Sequence, residues 1–173
     1  TEGFFSAVLR KKAPTRYIDK MVMESFQEKE LSRRRKEEIA SMMEQRYGFP
    51  MVGEEDRLFS RGEMILLSNN DAAHFELPVQ NYSLGLPFGK MLKDGRILIG
   101  HEIATLRGHL ATKNVFDVDL DQLEKLLSAQ DIDCPADLDG HVIVRYRNMG
   151  IGLGLAKNGR LKNNIPRWIV QMG

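Results

Sequence analysis

The first long amphipathic stretch of the chain predicts a helix that begins near Ser25 and ends at Tyr47. Ser25 and Glu28 have the spacing of a capping box, in which two side chains satisfy free amide donors at a helix start. Gly48 follows the last apolar position and is typical of a residue just past a helix C-terminus. The apolar stripe of this helix consists of Leu31, Ile39, Met42 and Met43.

Short apolar runs separated by turn residues follow and predict strands. The runs at 64–67, 84–89 and 96–99 are of strand length, and Asp94-Gly95 between the last two is a hairpin signal. Residues 101–111 then predict a helix with Ile103, Ala104 and Leu110 turned inward.

The last third of the chain contains one more helix and three further strands. Asp119 is placed to cap a helix over residues 120–129. The runs at 141–146, 151–155 and 165–170 predict strands, with Pro166 favouring an edge or the first position of the last one. Short strands interleaved with short helices indicate an α+β protein, built on a small barrel-like sheet with helices at its ends.

The opening run, Gly3–Leu9, predicts a buried strand that needs neighbours on both sides. Nothing precedes it, so we expect the 173 residues to be part of a longer protein. That length corresponds to one large domain or two small ones.

Composition excludes several classes of protein. A single cysteine, Cys134, rules out a disulfide framework and a multi-thiolate metal centre built from this chain alone. No apolar run approaches the ~20 residues of a membrane span, and the N-terminus lacks the layout of a signal peptide. A cytoplasmic protein with no membrane partner is the default expectation.

The net charge of +1 conceals a segregation of charge along the chain. From Arg145 to Gly173 there are six basic residues and no acidic ones, whereas Asp117 to Asp139 contains eight acids and one base. The basic tail could face a polyanion, or it could neutralise the acidic stretch, and charge alone leaves both open. The basic run 33–36 is nearly balanced by glutamates, which favours a solvated face of ion pairs over a nucleic-acid patch.

The familiar motifs of catalysis and cofactor binding are missing. Gly150, Gly152 and Gly154 lack the strand-to-helix context of a dinucleotide fingerprint, and we expect them to relieve crowding in a bent strand. The four histidines have no metal-ligand spacing. Acidic neighbours should raise the pKa of the Cys134 thiol, which is the opposite of what a nucleophile needs. We therefore predict no catalytic residue and no metal ligand.

The segment 154–168 is the most informative part of the sequence because it combines bases, amides and an aromatic residue. Bases and amides bind phosphates and sugar hydroxyls, and an aromatic ring can stack on an unpaired base. The alternative is a polar hairpin with a core tryptophan, and Trp168 itself fits either role. Composition alone does not decide between the two; under the RNA-binding interpretation, Lys157, Arg160, Lys162 and Arg167 would contact phosphate, and Asn163 and Asn164 ribose or base.

Three segments resemble one known family. Gly-x-Gly-x-x-Lys followed by Arg-Leu-Lys-Asn-x-x-Pro-Arg, at 152–167, is similar to the C-terminal PUA-like RNA-binding module of RsmF-type ribosomal RNA methyltransferases of the Nop/Sun family. The segment 84–104 resembles a stretch upstream of that module, with Ile99-Gly100 in place of the usual Pro-Ser before His101. Residues 2–11 look like the last strand of the family's methyltransferase domain, and all three occur in family order.

The resemblance implies three regions: the last strand of a missing methyltransferase domain at 1–13, a connecting subdomain with helices and a short β segment at 14–76, and a PUA-like module at 77–173. It implies that this chain is the non-catalytic, RNA-binding part of an enzyme that makes 5-methylcytosine in ribosomal RNA. S-adenosylmethionine is then the cofactor of the parent enzyme and is not bound here. The partners would be structured ribosomal RNA and the upstream methyltransferase domain.

A rival interpretation belongs to a different class. The acidic stretch and the basic tail could form a protein-interaction module that docks on the catalytic domain or on another partner.

Overall fold

The structure is a computed structural model that describes residues 28–73 and 84–170. Its first half contains a five-stranded antiparallel sheet whose strands pair in chain order, with a bulge in β3 between Ile65 and Leu66. The strands are β1 (Lys29–Glu30), β2 (Asp56–Arg61), β3 (Met64–Asn69), β4 (Leu86–Met91) and β5 (Ile97–Ile99). Helix α1 (Arg33–Tyr47) lies between β1 and β2, and the short α2 (Asn70–Ala73) follows β3.

The second half contains a mixed five-stranded sheet in the order β6-β8-β9-β10-β7, in which only β6 and β8 run parallel. Helix α3 (His101–Arg107) and a 3-10 turn at Gly108–Leu110 lead into it. Its strands are β6 (Val115–Asp117), β7 (Ile132–Asp133), β8 (Gly140–Tyr146), β9 (Met149–Lys157) and β10 (Arg160–Asn163). Helices α4 (Leu120–Leu127) and α5 (Arg167–Val170) complete the module. The predicted α+β class is confirmed.

The two halves share one apolar core. The larger cluster of buried residues combines Tyr47 of α1, Phe88 of β4 and Ile103 of α3 with Ile143 and Leu153 of the second sheet. The opposite face of the second sheet has its own core, in which Leu126 of α4 and Val170 of α5 pack on the strands.

The predicted start of the first helix is wrong. Glu28 is not helical, and the helix begins at Arg33 behind Ser32, whose hydroxyl accepts a hydrogen bond from the Arg35 amide at 3.3 Å. Residues 29 and 30 instead pair with β2, and the Leu31 amide donates to the Leu58 carbonyl at 2.8 Å. Tertiary strand pairing thus overrides the helix propensity of this segment. The predicted end holds, since Gly48 adopts a left-handed conformation directly after Tyr47.

Two local signals of the sequence are confirmed. The turn containing Asp94 and Gly95 joins β4 and β5 as an antiparallel hairpin. Asp119 caps α4 in a capping box with Gln122. Leu110, in contrast, was expected to face inward and is exposed, because the helix tightens into a 3-10 turn at Gly108 and changes its inward face.

The prediction of a last strand over 165–170 is wrong. Asn163 ends β10, and its side-chain oxygen accepts a hydrogen bond from the Ile165 amide at 2.9 Å, so that amide joins no ladder. Pro166 has no N–H to offer a strand, but it is compatible with the entry to a helix, and α5 begins at the next residue. Ile165 and Val170 are buried on the same core.

Several predictions fall outside the described residues. These are the opening strand at 1–13, the capping role of Ser25, and the boundary between residues 76 and 77. The division into three regions stays a prediction.

Candidate nucleic-acid interface

The basic segment forms a tight β-hairpin rather than a loop. Lys157 and Arg160 pair across the end of β9 and β10, with only Asn158 and Gly159 between them. Both turn residues have positive φ, 52° and 77°, which is the conformation of a type I′ turn. Asn-Gly is the residue pair that this turn favours, because both residues tolerate the left-handed region.

The register places three bases on one face of this hairpin. Residues directly opposite each other in an antiparallel pair point to the same face, so Lys157 and Arg160 lie side by side. Lys162 is two residues beyond Arg160 and therefore shares that face, about 7 Å further along the strand. Leu161, between them, points the other way and is fully buried. The alternation anchors the hairpin in the core and leaves the three charges exposed.

The three bases differ in how free they are. Within the part of the chain that the structure describes, the side chains of Lys157 and Lys162 make no hydrogen bond and no ion pair. Arg160 lies 3.8 Å from the Asp133 carboxylate on the neighbouring strand β7. That pair is largely in water, with side chains 65% and 92% exposed, so it contributes little and can be exchanged for a phosphate.

Asn163 is tied into the fold and is not free to contact RNA. Its side-chain nitrogen Nδ2 donates to the carbonyls of Leu126 at 2.6 Å and Gln130 at 3.3 Å, and its side-chain oxygen Oδ1 accepts from the backbone amide of Ile165. Both N–H donors are therefore already used. The structure thus gives the Asn163 side chain an internal role, which argues against its predicted contact with RNA.

The remaining candidates lie where β10 leads into α5. Asn164 and Arg167 are exposed and, in the described ranges, have no side-chain partner. Trp168 is 67% exposed, which decides against the core role that the sequence left open. Its ring stands edge-to-face against His101, with centroids 6.2 Å apart and planes at 82°.

Two further residues, His141 and the cationic Arg46, adjoin the hairpin face, and sequence reasoning missed them. Leu155 pairs with both Lys162 and His141, so the three residues form a row across β10, β9 and β8. Arg46 of α1 donates from Nη2 to the His141 carbonyl at 2.9 Å. Burial, followed by the charges of Arg46 and Arg96, lowers the pKa of His141. These residues come from elements far apart in the chain, and no local pattern could have joined them.

A cleft of about 510 Å³ opens beside this row. It lies between α1, the β4–β5 hairpin and the start of β8, and Arg46, Arg96 and His141 are among its lining residues. Met42, Met43 and Ile97 supply apolar walls. The cleft thus combines the cations Arg46 and Arg96 with Asp139, and Arg96 is itself paired with Asp94 at 2.7 Å.

Several charged residues outside the hairpin face are paired with opposite charges. In α1, Arg33 pairs with Glu37 at 2.9 Å, and both Arg34 and Arg35 pair with Glu38, as predicted for a solvated ion-pair face. The acidic stretch is linked to the basic tail by two ion pairs among the described residues. Besides Arg160–Asp133, Arg145 forms a two-point pair with Asp117 at 2.8 and 2.7 Å. These two pairs leave Lys157, Lys162 and Arg167 without an acidic partner among the described residues.

The glycine cluster does not fit a nucleotide cofactor. Gly150, Gly152 and Gly154 all lie inside β9, which ends in a hairpin and not in a helix, so no helix N-terminus is available for a pyrophosphate. A side chain at Gly150 would collide with the Ala104 carbonyl oxygen. The predicted packing role is confirmed there, because the glycine allows α3 to approach β9.

The environment of the Cys134 thiol disfavours its reactive thiolate form. Burial raises the pKa of the Cys134 thiol, and the charges of Asp133 and Asp137 raise it further. Across residues 28–73 and 84–170, no group of three or more His, Cys, Asp and Glu side chains is placed to hold a metal ion. Over the same ranges, no helix has the length and apolar character needed to cross a membrane.

Comparison with known proteins identifies the second sheet. Residues 113–171 match the family model of the Methyltransferase RsmF PUA domain, and this range contains every strand from β6 to β10. The α+β fold thus includes a PUA-like module, as the resemblance implied.

The similarity to known proteins extends beyond that module to nearly the whole chain. The chain is 26% identical over 174 residues to Ribosomal RNA small subunit methyltransferase F of Aeromonas salmonicida (strain A449), an alignment that covers 99% of this chain and 36% of that protein. The same-named protein of Vibrio cholerae serotype O1 (strain M66-2) is 26% identical over 180 residues, with 98% and 36% covered. That of Vibrio vulnificus (strain YJ016) is 35% identical over 71 residues, with 41% and 15% covered.

These matches confirm the resemblance to the RsmF-type methyltransferases. The chain spans about a third of the length of the relatives that it matches along its whole extent.

Proposed function

We propose that this chain is the non-catalytic, RNA-binding region of an S-adenosylmethionine-dependent ribosomal RNA cytosine-5 methyltransferase. It would hold structured ribosomal RNA so that an upstream catalytic domain reaches its cytosine. The parent enzyme would work in the cytoplasm and would bind the cofactor outside this chain. The observation that carries the proposal is the shared, exposed face of Lys157, Arg160 and Lys162.

The geometry suits contact with the phosphate backbone. The three bases project from two paired strands whose opposite sides are anchored by buried Ala156 and Leu161, so their positions are fixed before RNA binds. Lysines without a protein partner lose no ion pair when they bind phosphate. Such contacts determine the position of the RNA on the protein and do not read its sequence.

The row from Lys162 to His141, with the Arg46 guanidinium beside it, supports an extended footprint. Adjacent strands lie about 4.8 Å apart, so Lys162 and His141 are about 10 Å apart across the sheet. A backbone crossing the hairpin would continue towards the cleft at the junction of the sheets. Structured RNA is recognised largely by such shape and backbone contacts.

The second candidate function is docking on the upstream domain. The same unpaired bases could contact acidic groups of another protein surface, and the names of the relatives fit this role as well. RNA binding by the chain distinguishes the two functions, since docking requires no affinity for RNA.

The test is a salt titration of RNA binding for the wild type and for a Lys157→Glu/Lys162→Glu variant. Each phosphate contact releases condensed counterions, so log affinity falls with log salt at a slope of roughly −0.7 per contact on single strands. We expect the double variant to bind more weakly and to lose about one to two units of slope.

A Lys29→Glu/Lys125→Glu variant is the matched control. It changes the charge by the same amount at two exposed lysines outside the hairpin, so any loss due to total charge would appear there too. Equal slopes and affinities for the hairpin variant and this control would eliminate the hairpin face as the RNA site.

A further inference from the structure

The only tryptophan in the sequence is placed on the surface. Trp168 belongs to α5, and two thirds of its side chain is exposed. Exposing a large aromatic ring to water is unfavourable, because burying such a ring contributes substantially to stability. The core that α5 covers is filled by Ile165 and Val170 instead. The exposed position of Trp168 therefore calls for a functional explanation.

The ring is held in place although it is exposed. Its edge-to-face partner His101 starts α3 and lies against β9, where a side chain at Gly152 would come within 2.9 Å of His101 Nδ1. The buried Ile165 and Val170 fix α5 on both sides of Trp168. A contact surface that is already ordered loses little side-chain entropy when it binds a ligand.

The local charge favours an anionic ligand. Arg167 precedes Trp168, is exposed and has no partner among the described residues. The sequence contains no acidic residue from Gly140 onward. Glu102, next to His101, is the carboxylate whose charge acts on that imidazole. Arg167 and Trp168 are thus neighbours on α5, whereas Glu102 belongs to α3.

We propose that Trp168 is the stacking platform for one unpaired base of the bound RNA, with Arg167 contacting the adjoining phosphate. This assignment rests on the proposed function and adds to it a ligand class, namely a nucleotide outside a base-paired stem. Every base has a flat π-face, and a base stacked on an aromatic side chain needs no sequence-specific hydrogen bond. In the interior of duplex RNA the bases are stacked on one another and offer no free face.

The single tryptophan makes the test direct, since all tryptophan fluorescence of the chain comes from Trp168. The full chain is titrated with an RNA hairpin that carries an unpaired loop and, separately, with a blunt duplex of the same stem. We expect the loop RNA to quench the fluorescence and the duplex to leave it nearly unchanged.

Substitutions complete the test. Replacing a stacking aromatic by alanine costs about fivefold to 150-fold in affinity, so Trp168→Ala should weaken loop binding within that range and barely affect the duplex. Trp168→Phe keeps a π-face and should retain most of the affinity. Met149→Ala removes an equally exposed apolar side chain and is the matched control, with no expected effect on either RNA.

The outcomes separate this inference from the proposed function. If loop RNA binds with a steep salt dependence but without quenching, and Trp168→Ala binds as the wild type does, the stacking platform is refuted and the hairpin interface stands. If neither RNA binds, both fail. Quenching by the purified upstream domain, with none by RNA, would assign the ring to protein docking and would also refute the inference.

Discussion

The side-chain nitrogen of Asn163 donates a hydrogen bond to the Leu126 carbonyl at 2.6 Å and so joins the end of β10 to the end of α4. The same nitrogen also reaches the Gln130 carbonyl, and the backbone amide of Asn163 donates to the Asp131 carboxylate at 2.9 Å. One residue thus orders the segment between α4 and β7, and through Ile165 it also orders the entry to α5.

Asn163→Ala should therefore act on stability. The change leaves the partly buried Leu126 carbonyl and the Ile165 amide without their partner, which costs about 1–3 kcal/mol of the free energy of unfolding. Chemical denaturation measures this loss. Preference among RNAs should not change, because the lost contacts are internal.

Asn164→Ala is the control for this change. Asn164 is the next residue, is exposed and has no side-chain partner in the described structure, so its removal should leave the free energy of unfolding nearly unchanged. An Asn163→Ala protein as stable as Asn164→Ala, with altered RNA preference, would return Asn163 to the RNA interface.

Local signals in the sequence predicted local structure correctly. The Asp119 capping box and the Asp94-Gly95 turn depend on residues within four positions of each other, and both occur as expected. The first helix and the last strand were misplaced where a distant partner decided the outcome. Pairing with β2 removes residues 29–30 from the helix, and the Asn163 side chain stops the ladder before Ile165.

In the candidate site, too, local sequence signals were predictive and contacts with distant residues were not foreseen. Lys157, Arg160 and Lys162 were predicted from residue type together with the family resemblance; they share one exposed face, and their contact with RNA stays a prediction. Their common face depends on the Asn158-Gly159 turn, which sets the register of the two strands. Asn163 could not be separated from them by residue type, since only its contacts with Leu126 and Ile165 show that its amide is used internally.

The Asp56–Arg107 pair should make stability depend on pH. Burial alone would raise the pKa of the Asp56 carboxyl. The carboxylate accepts hydrogen bonds from Arg107 at 2.5 and 3.0 Å and from the Gly53 amide. Together with the charges of Arg107 and Lys36, these bonds bring the pKa below its usual value of 3.8. Because the pKa of Asp56 is lower in the folded than in the unfolded state, its carboxylate stabilises the folded state at pH values above the unfolded-state pKa. This contribution is lost as the pH falls through the folded-state pKa. Asp56→Asn should therefore cost about 1–3 kcal/mol at pH 6, and the difference from the wild type should shrink below pH 3.8.

Asp94→Asn is the comparison for that series. Asp94 also pairs with an arginine, Arg96, at 2.7 Å, but both side chains are exposed, so the change should affect stability little at any pH. Unfolding curves between pH 2 and pH 7 decide the matter. A difference between Asp56→Asn and the wild type that stays constant over this range would contradict the assigned pKa.

The Cys134 thiol should react slowly with alkylating reagents. Burial is the largest cause of its raised pKa, followed by the charges of Asp133 and Asp137, so little thiolate forms at neutral pH. The rate of reaction with iodoacetamide should rise with pH to a midpoint above that of a free cysteine. Asp137→Asn should lower this midpoint, and unfolding in urea should bring it back to the free value. A folded chain that reacts at the rate of the unfolded one at pH 7 would show that the thiol is not shielded.

Removal of the Asp133 carboxylate should strengthen RNA binding. Asp133 lies 3.8 Å from Arg160, so it competes with a phosphate for that guanidinium and repels the incoming RNA. Asp133→Asn keeps the size of the side chain and its place on β7. Because the pair is exposed, the gain in affinity should be modest, about two- to fivefold at low salt, and it should diminish as salt screens the charges.

Asp137→Asn removes the same charge from an exposed position that makes no ion pair among the described residues, and it corrects for the change in net charge. Equal gains in the two variants would mean that only total charge matters, whereas a gain confined to Asp133→Asn, and lost again in Asp133→Asn/Arg160→Gln, would identify Arg160 as a phosphate contact.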